Sequence, residues 1–259
     1  MKTLRKQYWA FRRMVLKHFV PEFIWPKYVT LNSVSIPIRN MPFSFGTKNG
    51  LLKGGYEAAE RQLLQNSLRP NDMVIEMGGS VGILTAIISE YVGPQGRVIS
   101  IEASKKLTFF SKKWLEPKGN ISIVTGFGFP VYSVNKNLKV DKFNEDGGSL
   151  SGVVSFSNVC GGNEEKTDES KIWDIKKICD KYDISPTVLV LDIEGSETIL
   201  SNQNPYFPAS LRLILIELHP WMYDDKCEKE IIKKITDEGF YLIEKVITSY
   251  LFERNNVEQ

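Results

Sequence analysis

The chain has 259 residues, 33 basic and 31 acidic side chains, 42% hydrophobic and 11% aromatic residues, the arithmetic of one ordinary globular domain rather than a disordered or collagenous chain. A formal charge of +2 lacks the basic excess of a dedicated nucleic-acid binder, so no nucleic-acid partner is expected. Three cysteines (Cys160, Cys179, Cys227) and two histidines (His18, His219) supply neither a disulfide framework nor a structural zinc spacing, which fits a reducing compartment. No apolar run approaches the ~20 residues that span a bilayer. The N-terminus also lacks the apolar core and cleavage site of a signal peptide, and a soluble, cytoplasmic protein is the expectation.

The charge is unevenly spread. Residues 1–20 hold Lys2, Arg5, Lys6, Arg12, Arg13 and Lys17 and no acid, leaving 27 basic and 31 acidic side chains in the rest. A helix over 4–19 would align Leu4, Tyr8, Phe11, Val15 and Phe19 on one stripe, with Lys2, Lys6, Arg13 and Lys17 on the other side. Such a basic amphipathic helix either rests on an anionic membrane or a partner, or packs its stripe on its own domain. Residues 21–50, with Pro21, Trp25, Pro26, Pro37 and Pro42, read as an irregular wrap with one short strand over 34–38. Residues 1–50 are therefore expected as an N-terminal appendage and wrap, and 51–259 as the main domain.

From residue 56 the pattern becomes regular. A helix over 56–68, ended by Arg69-Pro70-Asn71-Asp72, leads into a strand over 73–76. Apolar strands recur at 97–101, 121–124, 187–191 and 211–217, with helices over 83–91, 105–115 and 172–182 among them. The tail adds a helix over 228–238, Gly239 as a stop, and strands over 241–246 and 250–252. Near-continuous apolar strands alternating with helices predict an α/β fold, a mostly parallel sheet covered on both faces. Residues 126–170 break the alternation with Gly147, Gly148, Gly152, Gly161 and Gly162 and a β-branched run at 153–154. They read as a strand-loop insertion over the sheet, a place suited to substrate recognition.

The sharpest local signal is Val74-Ile75-Glu76-Met77-Gly78-Gly79-Ser80-Val81-Gly82-Ile83, a strand ending in an acid, a glycine turn and a helix start. Glycines admit a close ligand, and the first turn of a helix presents unpaired N–H groups. Gly78 and Gly82 are four apart, so neither the dinucleotide fingerprint nor a phosphate loop is present. What remains, E-x-G-x-x-x-G, is the form seen in class I S-adenosylmethionine-dependent methyltransferases. Glu102 closes the next strand, ahead of Ala103 and Ser104, where a carboxylate can accept from two ribose hydroxyls. The predicted cofactor residues are Glu76, Gly78, Gly79, Ser80, Gly82, Glu102, Ala103 and Ser104.

Further on, Val188-Leu189-Val190-Leu191-Asp192-Ile193-Glu194-Gly195-Ser196-Glu197 runs from an apolar strand into three acids, and the next strand ends in Glu217-Leu218-His219-Pro220. Ligands of open parallel sheets lie beyond the carboxyl ends of the strands, so Asp192 and Glu194 should face the same crevice as Glu76. Glu217 and His219 alternate onto one side of an extended chain.

Together with Tyr56-Glu57, 71–82, 96–104 and 119–124, these segments resemble the FkbM family of S-adenosylmethionine-dependent methyltransferases over residues 55–250. The discriminating piece is Asp192-Ile193-Glu194-Gly195-Ser196-Glu197, similar to the family's D-V-E-G-x-E. The chain departs from the family at Val190, where a Lys is usual, and at Glu76-Met77-Gly78-Gly79-Ser80, where D-x-G-A-N is usual. The resemblance implies a Rossmann-like fold and methylation of a hydroxyl, commonly of a sugar or a polyketide, so a small-molecule or glycan acceptor is expected.

Methyl transfer from a sulfonium needs an aligned nucleophile and removal of its proton. His219 is the best base by type, with Asp192 and Glu194 beside it as catalytic candidates. Alternatively Asp192, Glu194 and Glu217 hold a hard ion such as Mg²⁺ that acidifies the hydroxyl. Trp173, Trp221 and Tyr223 are candidate stacking surfaces for a sugar.

Overall fold

The computed structural model describes residues 21–134, 138–143, 154–158 and 172–255; the expected basic helix of residues 1–20 and most of the glycine-rich loop lie outside the described residues. The described chain opens with a hairpin, β1 (Tyr28–Leu31) and β2 (Val34–Pro37), turned by Asn32 and Ser33 at φ of 47° and 65°, the left-handed pair that tight hairpins require. Two helices follow, α1 (Phe45–Leu52) and α2 (Ala58–Gln65). Ser44 caps α1 by accepting from the Thr47 N–H. Next come β3 (Met73–Met77), α3 (Ile83–Val92), β4 (Arg97–Glu102), α4 (Lys105–Leu115), β5 (Ile121–Thr125) and β6 (Phe127–Phe129). The insertion supplies β7 (Leu138–Phe143) and β8 (Val154–Asn158), paired antiparallel. The remainder is β9 (Ile172–Asp174), α5 (Ile175–Tyr182), β10 (Val188–Leu191), α6 (Ile199–Asn202), β11 (Leu213–Glu217), α7 (Asp225–Asp237), β12 (Phe240–Val246) and β13 (Ser249–Arg254).

Seven strands form one sheet in the order β12-β13-β11-β10-β3-β4-β5. All pairs within β11-β10-β3-β4-β5 are parallel, and β13 runs antiparallel to both β11 and β12. A doubly wound sheet with one reversed strand slotted next to the edge is the class I methyltransferase fold. The chain winds outward from β3 through β4 to β5, then returns to β10 on the other side of β3. That reversal opens a crevice at the carboxyl ends of β3 and β10, where such sheets bind ligands.

Alternation along the strands divides the core between the two faces. Val74, Val98, Val188, Val190, Leu213 and Leu215 pack on one side. Ile75, Met77, Ile99, Ile101, Leu189, Leu191, Ile214 and Ile216 pack on the other. All four residues of β10 are buried, as expected of a central strand covered on both faces. At the amino end of the sheet, Asp72 ties three strands together. Its carboxylate takes Arg212 at 2.5 Å, the Thr187 hydroxyl and the Arg69 N–H.

Three sequence expectations need correction. A boundary at residue 50/51 would cut through α1, and Trp25, Leu31, Val34, Ile36, Ile38, Phe43 and Leu51 are buried in the same core as α2 and α3; residues 21–50 are part of the domain rather than a wrap around it. The helix expected over 172–182 begins three residues late. Ile172–Asp174 pairs in parallel with β6, and the Asp174 carboxylate accepts from the Lys177 N–H to cap α5. A reading of periodicity cannot see the β6 partner that claims those three residues. The third concerns Glu76, described with the site.

Candidate active site

The glycine turn sits at the carboxyl end of β3, over the switch point. Gly78 and Gly79 both donate to the Ile101 carbonyl, at 2.8 and 3.1 Å, and Gly82 donates to Gly79 at 2.8 Å. Gly78 has φ of +92°, and a Cβ there would lie 1.6 Å from the Asp192 carbonyl oxygen. The glycine therefore admits the neighbouring strand β10 as much as any ligand. Ser80, at φ of 48°, turns its N–H onto Glu102 Oε2 at 2.9 Å, while Ser104 N–H donates to Glu102 Oε1 at 2.7 Å and Ser104 Oγ caps α4.

Glu102 is nearly buried, and burial pushes its carboxyl up to about 7 against the opposing N–H bonds of Ser104, Ser80 and Ala103, with the Glu76 charge adding to the rise. Glu76 does not face the crevice as the sequence suggested. It is 2% exposed and turned under the turn, accepting from the Thr85 hydroxyl at 2.5 Å, so it props the loop from beneath.

The second edge is built from β10 and β11. After Leu191, Glu194 and Gly195 adopt φ of 48° and 92°, a tight reversal that swings Glu194 back over the strand end. Glu197 is fully buried and gathers four donors: the Gly195 N–H at 2.8 Å, the His219 N–H at 3.1 Å, the Tyr223 hydroxyl at 3.1 Å and His219 Nδ1 at 2.7 Å. His219, itself 2% exposed, is thereby locked with Nε2 toward Asp192 Oδ1 and Glu194 Oε2, 3.5 Å from each. Burial works to lower the His219 pKa, but the Glu197 hydrogen bond and the charges of Glu197, Glu194 and Glu217 outweigh it and raise it. Burial first, then the charges of Glu217, Glu194, Glu57 and Glu60, hold the Asp192 carboxyl well above its usual range.

The structure brings Asp192, Glu194 and His219 together, with one ligand atom of each within 4.8 Å of the others. Glu217 lies on the same side, yet its Oε1 accepts from the Thr248 hydroxyl at 2.9 Å, and it stands outside that triplet. Of the aromatics, Trp173 is 8% exposed and packed under the ammonium groups of Lys177 and Lys181, so it offers no free face. Tyr223 is engaged with Glu197. Trp221 is 67% exposed and meets the His219 ring edge-on at 5.1 Å, the one stacking candidate at the mouth.

Two contributors have no role in the sequence reading. Glu197 is visible there only as the third acid of its run; its part depends on His219, 22 residues away. Glu57 enters from the start of α2 at φ of 47°, and burial together with Glu60 and Glu76 pushes its carboxyl up to about 8. Among the described residues, four buried side-chain polar atoms lack a hydrogen-bond partner. Three of them, Glu57 Oε2, Ser80 Oγ and Asp192 Oδ1, belong to this site, where buried polar atoms without partners mark a place for a ligand.

A sequence profile of the protein-L-isoaspartate(D-aspartate) O-methyltransferase family matches residues 25–135, less than half of the chain and the half that carries the glycine turn. No curated protein matches the sequence. Among solved structures, the chain is similar to fibrillarin of Aeropyrum pernix with natively bound S-adenosyl-L-methionine (13% identity, 71% of this chain, 66% of that one, TM-score 0.42). It is also similar to a SAM-dependent O-methyltransferase of Thermotoga maritima (12% identity, 79% and 67%, TM-score 0.42) and a SAM-dependent methyltransferase of Aquifex aeolicus (12%, 74% and 85%, TM-score 0.39). The chain spans just under two thirds of the fibrillarin. Strand order, rather than these likenesses, carries the fold assignment. No helix among the described residues is long and apolar enough to cross a membrane.

Proposed function

We propose that this class I methyltransferase moves the methyl group of S-adenosylmethionine to a hydroxyl, that of a sugar in a glycan or glycolipid precursor. One observation supports it above the rest. The buried Glu197–His219 pair aims an imidazole nitrogen into the crevice beside a glycine turn whose Ser80 Oγ lacks a partner. When bound, the cofactor supplies a methyl carbon on positively charged sulfur, open to in-line displacement.

The residues divide the work. Glu102, held by the N–H groups of Ser80 and Ser104, keeps acceptor capacity for the ribose diol. Burial and neighbouring carboxylates oppose ionisation of Glu57 and Asp192, and a cationic cofactor beside them favours their charged form. The acceptor's proton leaves toward Asp192, Glu194 and His219, with His219 Nε2 as the base when no ion is present and Glu197 holding the ring in one orientation. Trp221 presents its face to a sugar ring.

Kinship with the FkbM family belongs to the same proposal, since Tyr56-Glu57 and the Asp192–Glu197 run meet at one site. The profile match ends at residue 135, before either catalytic strand, so it bears on the cofactor half and leaves the acceptor open. The free thiols Cys179 and Cys227 fit a reducing, cytoplasmic setting. Residues 1–20 are proposed to meet an anionic membrane carrying the acceptor; unchanged liposome binding after their removal refutes that part.

Calorimetry with S-adenosylmethionine, S-adenosylhomocysteine and NAD tests the core of the proposal, with micromolar binding expected for the first two alone. Incubating extracts with isotopically labelled S-adenosylmethionine and identifying the labelled product by mass spectrometry tests the acceptor. A labelled protein, or a labelled amine, refutes the sugar hydroxyl.

A further inference from the structure

We propose that His219 Nε2, Asp192 Oδ1 and Glu194 Oε2 together bind one divalent transition-metal ion, of the manganese, cobalt or zinc kind, at the acceptor end of the site. The inference deepens the methyl-transfer reading and rests on it for its purpose, though not for its geometry.

The distances come first. Nε2 stands 3.5 Å from each carboxylate oxygen, beyond the roughly 2.7–3.2 Å of a well-made N–H···O bond. Two ligand atoms each about 2.1 Å from an ion, and about 110° apart, are separated by about 3.5 Å. Nε2 thus stands from both carboxylate oxygens at the spacing of ligands around a cation rather than at that of a hydrogen-bond partner.

The imidazole is also arranged as a ligand. Its side chain is 3% exposed, and Nδ1 is committed to the fully buried Glu197. Glu197 is itself fixed by the Gly195 N–H and the Tyr223 hydroxyl. Only Nε2 is left to act, and a carboxylate behind a histidine is the arrangement that orients metal ligands. Independently, Asp192 Oδ1 is a buried atom with no hydrogen-bond partner.

The set differs from the all-oxygen one that the sequence suggested. Glu217 Oε1 takes the Thr248 hydroxyl, and His219 stands where a third carboxylate was expected. One imidazole and two carboxylates suit first-row transition ions better than Mg²⁺, which favours oxygen alone. An ion held here would polarise an acceptor hydroxyl and ease loss of its proton, with Nε2 serving as a ligand instead of as the base.

The test uses the full chain, stripped with a chelator, titrated with Co²⁺ by visible absorption and with Mn²⁺ by electron paramagnetic resonance. One ion per chain is expected, undisturbed by excess Mg²⁺. Asp192→Asn, Glu194→Gln and His219→Ala should each weaken binding tenfold or more. Glu197→Gln should weaken it by about 10–100-fold, and Glu217→Gln, which removes only a neighbouring charge, should weaken it less than any of the three ligand variants. Asp192 and Glu194 are 30% exposed, so their variants keep the test decisive should His219→Ala fail to fold. Absence of saturable binding at millimolar Co²⁺ and Mn²⁺ overturns the proposal, as does wild-type affinity in Asp192→Asn and Glu194→Gln, or loss of binding in Glu217→Gln. Calorimetry with S-adenosylmethionine on the same samples separates the two readings. Metal binding without adenosyl binding removes the methyl-transfer reading alone, and the converse removes the metal alone.

Discussion

Lowering the pH from 8 to 6 should weaken S-adenosylmethionine binding about tenfold through Glu102. Burial drives this carboxyl up to about 7, against the N–H groups of Ser104, Ser80 and Ala103. In the proposed site a ribose diol donates to the carboxylate, so binding selects the ionised form and the apparent affinity scales with its fraction. With a midpoint near 7, that fraction is about 0.9 at pH 8 and about 0.1 at pH 6, a ratio of about ten or about 1.4 kcal/mol.

The same group acts on stability with the opposite sign. Its folded pKa lies above the unfolded value of 4.5, so the folded chain keeps a proton that the unfolded chain has lost. Ligand-free stability therefore falls as pH rises from about 4.5 to about 7, by an amount on the order of 3 kcal/mol at full ionisation. Calorimetry at pH 6 in buffers of different ionisation enthalpy should count close to one proton released on binding. Glu102→Gln should bind more weakly at every pH and without this slope. Equal affinity at pH 6 and pH 8 refutes the reasoning; so does a slope that survives Glu102→Gln and vanishes in Glu57→Gln, because Glu57 titrates nearby at about 8.

Three further outcomes are expected. Gly78→Ala places a Cβ 1.6 Å from the Asp192 carbonyl at φ of +92°, whereas Gly54→Ala, at φ of +70°, meets nothing within 4 Å; denaturant titration should show a loss of about 3 kcal/mol or more for the first and about 1 kcal/mol for the second, and equal losses would discredit the close approach. Tyr223→Phe removes the hydroxyl that joins Glu197 to the His219 backbone, and should lower turnover with labelled S-adenosylmethionine about tenfold while leaving cofactor affinity within a factor of two. Asp72→Ala strips the Arg212 pair and the Thr187 bond from the amino end of the sheet. It should cost about 3 kcal/mol in urea unfolding without altering cofactor affinity, since the site lies at the carboxyl end.

Local chemistry decided much that is readable without coordinates. Residues 105–115 form the helix their pattern predicts because Ser104 caps it and Lys112 and Lys113 close its last turn. Gly239 stops α7 at φ of +86°, the conformation a glycine adopts most freely. The apolar run of β10, together with those of β3, β4 and β11, fits strands buried on both faces, and the alternation of such runs with helices predicts a parallel sheet and the side of it on which Asp192, Glu102 and the glycine turn lie.

The placement of those groups was settled by contacts between distant segments. Glu76 and Glu102 both end strands in acids, and only packing turned one beneath the loop, onto Thr85, and left the other with N–H partners at the crevice. Residues 28–31 became a strand because 34–37 folds back on them, and 172–174 because β6 lay alongside. At the acidic edge, composition suggested three carboxylates for one ion. Thr248 claimed Glu217, and Glu197, 22 residues from its partner, fixed His219 beside Asp192 and Glu194. Propensity and pattern are properties of neighbouring residues and so are legible in order along the chain. Which buried polar group finds which partner is a competition settled only when the strands are assembled, and it is this competition that determined the chemistry of the site.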